Sequence, residues 1–369
     1  MKISVIIPCY NAERLASRAV ESCMSASPRC EVEIVCVDDC STDGTPGVLA
    51  RLAAGAGNVK VVRHDANMKL LEARRSGLAA ATGDYVVHLD ADDRFAEGTL
   101  NAIAEKLLSD PVDCLYFGGR PVLEGEAAPG GPQLDHLTRL LAPPTDCRSR
   151  EDLLEAMFVK SSHAWGVCGK VWKADIARKC FEIIPHGPFM MAEDATQCIV
   201  SMKFVQTVAV LDIAGYLYTA DTGCMANEVL TCRNIDQRML DLEAVQQTMR
   251  RFRRVLAPDD AYLRYLKAFE RRILRDFFAF CAPYLHKYHG TGLFEDGIEP
   301  EHMGLMAMWW ADLERTSELF RSTRWFWRLY RKWLAVKALV SRDGNRRREL
   351  GALGDCVKRM SRDEVHLTY

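Results

Sequence analysis

The chain has 369 residues, and its 48 Lys and Arg against 50 Asp and Glu leave a formal net charge of −2. With 49% hydrophobic residues and no low-complexity tract, it is neither a disordered chain, a collagen-like fibre nor a dedicated basic nucleic-acid binder. The length suits two domains, or one nucleotide-handling domain with a substantial appendage.

The 14 cysteines show no paired CxxC spacing and lie mostly in apolar runs, which predicts buried thiols in a reducing compartment rather than a disulfide framework. The amino terminus reaches Pro8 too soon for a secretory apolar region, and no run of about eighteen uncharged apolar residues occurs. A cytoplasmic protein without a spanning helix is expected, with attachment to a membrane surface left open.

The first hundred residues alternate strand and helix signals. ISVII (Ile3 to Ile7) reads as a strand stopped by Pro8, followed by a helix near Ala12 to Ser25 and a strand from Val32 to Val37. A helix near Thr45 to Ala54, a strand from Val59 to Arg63, a helix near Leu70 to Ala81 and a strand from Tyr85 to Leu89 complete the series. Apolar strands alternating with helices call for a parallel sheet covered on both faces, with a ligand crevice beyond the carboxyl ends of the strands. Three strands end in polar or turn-forming residues: Pro8–Asn11, Asp38–Asp43 and Asp90–Asp93. Residues 121–144, rich in Gly and Pro, read as a long excursion. Core-like patterns run from Leu153 to about Leu217, including a strand near Thr207 to Leu211, and the sequence is helix-rich from about Asn234. The expected domains are 1–225, in two halves at about 1–120 and 145–225, and a helical region at 226–369.

LDADDR (Leu89 to Arg94) follows an apolar strand and can aim Asp90 and Asp92 at one hard cation, diphosphate oxygens completing the shell; the alternative is an acidic turn capping a helix that begins near Ala96. VDDCSTDGT (Val37 to Thr45) ends a buried strand in two carboxylates able to accept from a base or ribose; Ser41 or Asp43 alternatively serves as a helix N-cap. In IPCYN (Ile7 to Asn11), Tyr10 lies in a turn where its ring can stack on a nucleobase.

In combination these motifs resemble the inverting family 2 glycosyltransferases of GT-A fold: IIPCYN, VDDCSTDGT, ARRSGLAAATGDYVVHLDADD (Ala73 to Asp93) and AEDATQ (Ala192 to Gln197) occur in the family's order over roughly residues 1–220. The resemblance implies an α/β, Rossmann-like, mostly parallel sheet with helices on both faces, followed by the helical carboxyl-terminal region. It implies that Pro8, Tyr10 and Asn11 border the nucleobase, that Asp39 recognises uracil, that Arg74 lies near base and ribose, and that Asp90, Ala91 and Asp92 form the DxD. Asp92 is then the more direct ligand of Mn²⁺ or Mg²⁺, and of Glu193 and Asp194 the Asp is the general base. By itself Asp194 also reads as a helix-start residue. The chain departs from the family pattern at Asn67, Met68 and Lys69, in place of an N-x-G loop, and at Arg75, in place of Asn.

The implied reaction is transfer from a nucleotide-diphosphate sugar, UDP-linked by expectation, to a hydroxyl of a glycan or lipid-linked acceptor with inversion, in surface polysaccharide or glycoconjugate synthesis. The rivals are a DxD-type phosphohydrolase, disfavoured because three strands precede the motif, and a catalytically inactive nucleotide-sugar-binding protein. A dinucleotide oxidoreductase would need a Gly-rich turn where PCYNAE stands. Near WGVCGK (Trp165 to Lys170), Lys170 reads as a contact to a diphosphate or anionic acceptor, or as a solvated lysine, and Trp165 as a sugar platform or a packed ring. His163 and His186 have no partner at metal spacing and read as ordinary residues.

Residues 315–348 hold eleven basic residues against two acidic ones, so the rest of the chain carries a net −11. Trp325, Phe326, Trp327, Tyr330 and Trp333 are interleaved with the cations. This suits either an anionic membrane surface, placing the protein peripherally on the inner face of the cell membrane, or packing on an acidic catalytic domain. Nucleic acid is not expected.

Overall fold

The computed structural model describes residues 1–24, 29–124, 132–187, 192–222 and 232–273. The chain divides into two compact units, Met1–Val229 with Leu240–Phe269, and Leu230–Met239 with Glu270–Tyr369. The sheet and the site described below lie in the first unit. The basic aromatic segment 315–348 lies outside the described residues.

The β-branched runs form the central strands. β1 (Lys2–Cys9) and β2 (Glu31–Asp38) are buried on both faces from their second or third residue onward, as strands of a covered sheet must be. β3 (Val59–Arg63) and β4 (Tyr85–His88) extend the parallel part. β5 (Arg94–Phe95), β6 (Cys114–Val122), β7 (Lys170–Lys173) and β8 (Val208–Thr219) complete one sheet of order β3-β2-β1-β4-β7-β6-β8-β5. β7 is antiparallel to both neighbours, β4 and β6, while β6 and β8 run parallel, so the sheet is mixed.

Pro8 does not stop β1: it pairs in register with Val37 of β2. Ile6 accepts from Leu89 on the β4 side, where the ladder ends. Two residues on, the N–H that Pro8 lacks faces past that end, so nothing is lost.

Helices α1 (Ala16–Met24), α2 (Thr45–Gly55), α3 (Lys69–Ala80), α4 (Thr99–Ser109), α5 (Pro132–Leu141), α6 (Arg150–Leu154), α7 (Ala174–Ile183), α8 (Glu193–Met202) and α9 (Cys232–Leu256) complete the described elements, α6 running into a π-helical turn at Glu155–Val159. α3 lies close on the sheet because Gly77 has no side chain: a Cβ there would meet Ile6 Cγ2 at 2.4 Å. That close approach presents Arg74 to the carboxyl end of β4. The excursion at 121–144 is partly regular, holding the end of β6 and α5. The helix after the DxD turn begins at Thr99 rather than Ala96, because β5 intervenes. The cap position of α2 is Gly44, not Ser41 or Asp43; Asp43 Oδ1 accepts from the N–H and Oγ1 of Thr45, the first residue of the helix.

A polar knot ties the opposite, amino-terminal edge. Buried Glu33 accepts from Ser4 Oγ (2.5 Å), Lys60 Nζ (2.8 Å) and Thr82 Oγ1 (2.9 Å). Burial opposes its ionisation, but Lys60, Ser4 and Thr82 outweigh that and hold its carboxyl well below the ordinary range. A depressed carboxyl stabilises the fold above its unfolded value of about 4.3 and loses that contribution as pH falls below it. Glu33→Gln is therefore expected to lower stability at pH 7 and to flatten the acid limb of unfolding below about pH 4. Identical urea midpoints for the two proteins at every pH would refute this role.

Candidate active site

β1, β2 and β4 run parallel, so their carboxyl ends share one edge, the place where such sheets bind ligands. At the end of β1, Tyr10 is 50% exposed. Asn11, in the left-handed region at φ 50°, accepts from Thr42 N (2.9 Å) and Oγ1 (3.2 Å) and donates its N–H to Ser41 Oγ (3.0 Å). The first two motifs are thus stitched together beneath the exposed ring. Asp39 is buried and already engaged: it lies 2.7 Å from His64 Nδ1 and accepts from the N–H groups of Met68 and Lys69, both at 2.8 Å. It anchors the 64–69 turn, leaving about one acceptor position of four for a base.

Arg74 is turned toward the acids and is 1% exposed. Its Nη2 donates to Asp90 Oδ1 (3.1 Å) and its Nη1 to Glu193 Oε1 (3.3 Å). One guanidinium therefore joins the DxD turn to the start of α8. Burial works against the charge of Arg74, but Asp90 and Glu193 raise its pKa. The second Asp90 oxygen lies 3.6 Å from the Cys168 thiol. Ala91 is buried between the two acids of the motif. Asp92 receives no hydrogen bond on its carboxylate from another described residue, while its carbonyl accepts from Arg18 Nη2 (2.8 Å) and Thr219 Oγ1 (2.7 Å). Burial, then the charge of Asp90, pushes the Asp92 carboxyl up to about 6. The same two causes, with Asp92 added, push Asp93 up to about 8, against the Thr219 N–H and the Tyr216 hydroxyl that bind it.

Glu193 and Asp194 open α8 behind Ala192, whose φ of 56° is a strained conformation for a residue with a Cβ. Burial, then the neighbouring charge of Asp194, raises the Glu193 carboxyl, with Arg74 opposing. Asp194 points at Gly166, where a Cβ would lie 2.5 Å from Asp194 Oδ2. One turn along α8, the Gln197 amide nitrogen lies 3.0 Å from Nε2 of buried His88 on β4. Burial, then Arg74, holds His88 down at about 3, so it remains neutral in this contact.

Several of these residues had no signal in the sequence. His64, Cys168 and Gln197 acquire roles only through long-range contacts. Arg75, noted above as a departure from the family, caps α7: Nη1 donates to the carbonyl of Phe181 and Nη2 to those of Ile184 and Pro185, while Nε reaches Glu72. Lys170 is neither a ligand contact nor solvated. It is buried, with Nζ donating to the carbonyls of Gly166 (2.6 Å) and Ala164 (3.1 Å) and standing 4.2 Å from the Tyr116 ring centroid. It holds the 164–166 turn on which Gly166 faces Asp194. Trp165 packs on Phe158 and Phe269. His186 pairs with Glu72 at 2.9 Å.

Asp90 and Asp92 present hard oxygens of the kind that suit Mn²⁺ or Mg²⁺, and the burial and neighbouring charge that raise the Asp92 carboxyl are what a cation would offset. Among the described residues no three His, Cys, Asp or Glu side chains converge as a metal cluster. The two acids therefore fit a cation only where its remaining ligands come from groups other than these side chains.

Residues 4–158 match the family model described as Glycosyl transferase family 2. Residues 4–158 are thus similar to a family 2 glycosyltransferase domain, and the fold is of the GT-A kind seen in TarS. It is 33% identical over 193 residues to an uncharacterized glycosyltransferase, alr2836, of Nostoc sp., covering 50% of this chain and 55% of the relative. It is 35% identical over 128 residues to the putative teichuronic acid biosynthesis glycosyltransferase TuaG of Bacillus subtilis, covering 34% and 50%. The chain thus spans about half the length of these curated relatives. Among solved structures it is similar in fold to S. aureus TarS 1–349 in complex with UDP-GlcNAc, with a TM-score of 0.59 at 20% identity, covering 85% of this chain and 83% of that one.

Proposed function

We propose that the chain is a metal-assisted, inverting glycosyltransferase that moves a sugar from a UDP-linked donor to a hydroxyl of a glycan or lipid-linked acceptor in surface polysaccharide synthesis. The observation that carries this reading is Arg74, which gathers the DxD acid Asp90 and the α8 acid Glu193 at one strand edge. Support also comes from the structures of TarS in complex with UDP-GlcNAc and with UDP, and from TuaG, a putative teichuronic acid biosynthesis glycosyltransferase.

In this reading the base stacks on Tyr10 and the remaining acceptor position of Asp39 meets the uracil. Asp92 and Asp90 hold Mn²⁺ or Mg²⁺, which when bound neutralises charge growing on the departing diphosphate. Asp194 takes the proton of the attacking hydroxyl. Glu193, tied to Arg74, fixes the start of α8 and hence the aim of Asp194. Among the described residues no helix is long and apolar enough to cross a membrane; docking at the inner face of the cell membrane through 315–348 belongs to the same proposal.

A panel of nucleotide sugars, each with Mn²⁺ and with chelator, tests the reading by thermal shift. A UDP-sugar is expected to raise Tm only with metal, and Asp92→Ala is expected to abolish that metal-dependent increment. No shift from any donor under either condition would reject the function, and an undiminished increment in Asp92→Ala would reject the ligand.

A further inference from the structure

A row of arginines crosses the sheet beyond the DxD turn. Arg94 of β5 stands opposite Leu217 of β8, and Leu217 stands opposite Arg120 of β6. Residues in register on adjacent strands project from the same face, so two guanidinium groups flank one leucine from Cα atoms about 10 Å apart. Thr219, two residues further along β8, faces the same way. Arg18 reaches it from α1, Nη2 lying 3.4 Å from Thr219 Oγ1 and 2.8 Å from the Asp92 carbonyl. Arg18 and Arg120 both act on Arg94 as like charges.

Little in the protein offsets this gathering. Among the described residues the side chain of neither Arg94 nor Arg120 forms an ion pair or hydrogen bond. Glu124 pairs with Arg18 at 3.8 Å and, with Asp93, acts on Arg94 as a weaker opposite charge, which Arg18 and Arg120 outweigh. Asp93 has its oxygens taken by Tyr216 Oη (2.6 Å) and Thr219 N (2.7 Å). Arg120 is exposed and Arg94 half-buried, so both are open to a ligand. Guanidinium groups converging in this way suit the oxygens of a phosphate or carboxylate, which accept charge-assisted and bidentate hydrogen bonds.

The sheet order says which substrate brings that anion. Tyr10 and Asp39 lie at the ends of β1 and β2, on one side of β4, and the arginine row lies on β6, β8 and β5, on the other. We propose that Arg94 and Arg120, backed by Arg18, form a subsite for a phosphate or carboxylate group of the acceptor. The proposal rests on the glycosyltransferase reading for the word acceptor, and on the arginine row alone for the anion.

The test titrates glycerol 3-phosphate and, separately, inorganic phosphate into the full chain held with saturating UDP and Mn²⁺, which occupies the donor side. The wild type and Arg51→Gln, which removes an exposed charge on α2, are expected to bind glycerol 3-phosphate equally. Arg94→Gln/Arg120→Gln is expected to bind it at least about tenfold more weakly, the equivalent of losing one charge-assisted hydrogen bond, with UDP affinity unchanged. Weaker binding of inorganic phosphate in the same order supports the same subsite. Equal binding by all three proteins, no binding by any, or binding only to phosphatidylglycerol vesicles, with UDP still bound, overturns the subsite and leaves the transferase reading intact. Failure of UDP to bind overturns that reading instead, and the phosphate titration repeated without UDP still decides the anion site.

Discussion

Asp194→Asn is expected to lower sugar transfer by about 10²–10⁴-fold, the range supplied by a positioned general base, while donor binding remains within about twofold of wild type. The substitution keeps the shape that faces Gly166 and removes only the ability to take a proton. Gly166→Ala provides an independent check on geometry, because its Cβ would lie 2.5 Å from Asp194 Oδ2 and force the carboxylate aside. Transfer measured with the true acceptor, alongside donor binding on the same preparation, reads both variants. A near wild-type rate in Asp194→Asn would remove Asp194 from the chemistry.

Arg74→Leu is expected to lower stability by about 3–5 kcal/mol, the cost of leaving buried charge without its partner, and to lower transfer as well. The guanidinium is the shared cation of Asp90 and Glu193; without it two acids face each other across a buried gap. The urea midpoint should fall with an unchanged slope. Adding Glu193→Gln to Arg74→Leu should recover part of the loss, because the coupling between contacting charges is then gone. A loss under about 1 kcal/mol in Arg74→Leu would show that the pair is open to water and of little consequence.

Much of the parallel half was legible because its signals are local. ISVII and EIVCV are β-branched runs whose burial on both faces needs nothing but their own composition, and the acids after β2 and β4 follow them directly. What was not legible depends on partners far along the chain. Arg74 reads locally as one more base on a polar helix; its role appears only when Glu193, 119 residues later, is placed beside it. Lys170 reads as solvated because nothing nearby announces that the carbonyls of Ala164 and Gly166 turn inward to receive it. β7 has four residues, too few to show a period, and the arginine row exists only through the pairing of β5 and β6 with β8.

The reversal of β7 decides where the molecule can vary. A strand laid parallel to β4 offers the ligand edge the loop that follows it, whereas β7, laid antiparallel, offers the loop that precedes it. The proposed donor side is thus built from trailing turns locked to one another, Asn11 to Thr42 and Asp39 to Met68. The other side is built from a leading segment, 160–169, held at its far end by Lys170 and by β6, where Phe117 N donates to Gly169 O and the Tyr116 hydroxyl to Ala164 O. Changes in length there can reshape what meets Asp194 while the register of every strand stays fixed, so new acceptor preferences are expected to arise ahead of β7 without disturbing the nucleotide.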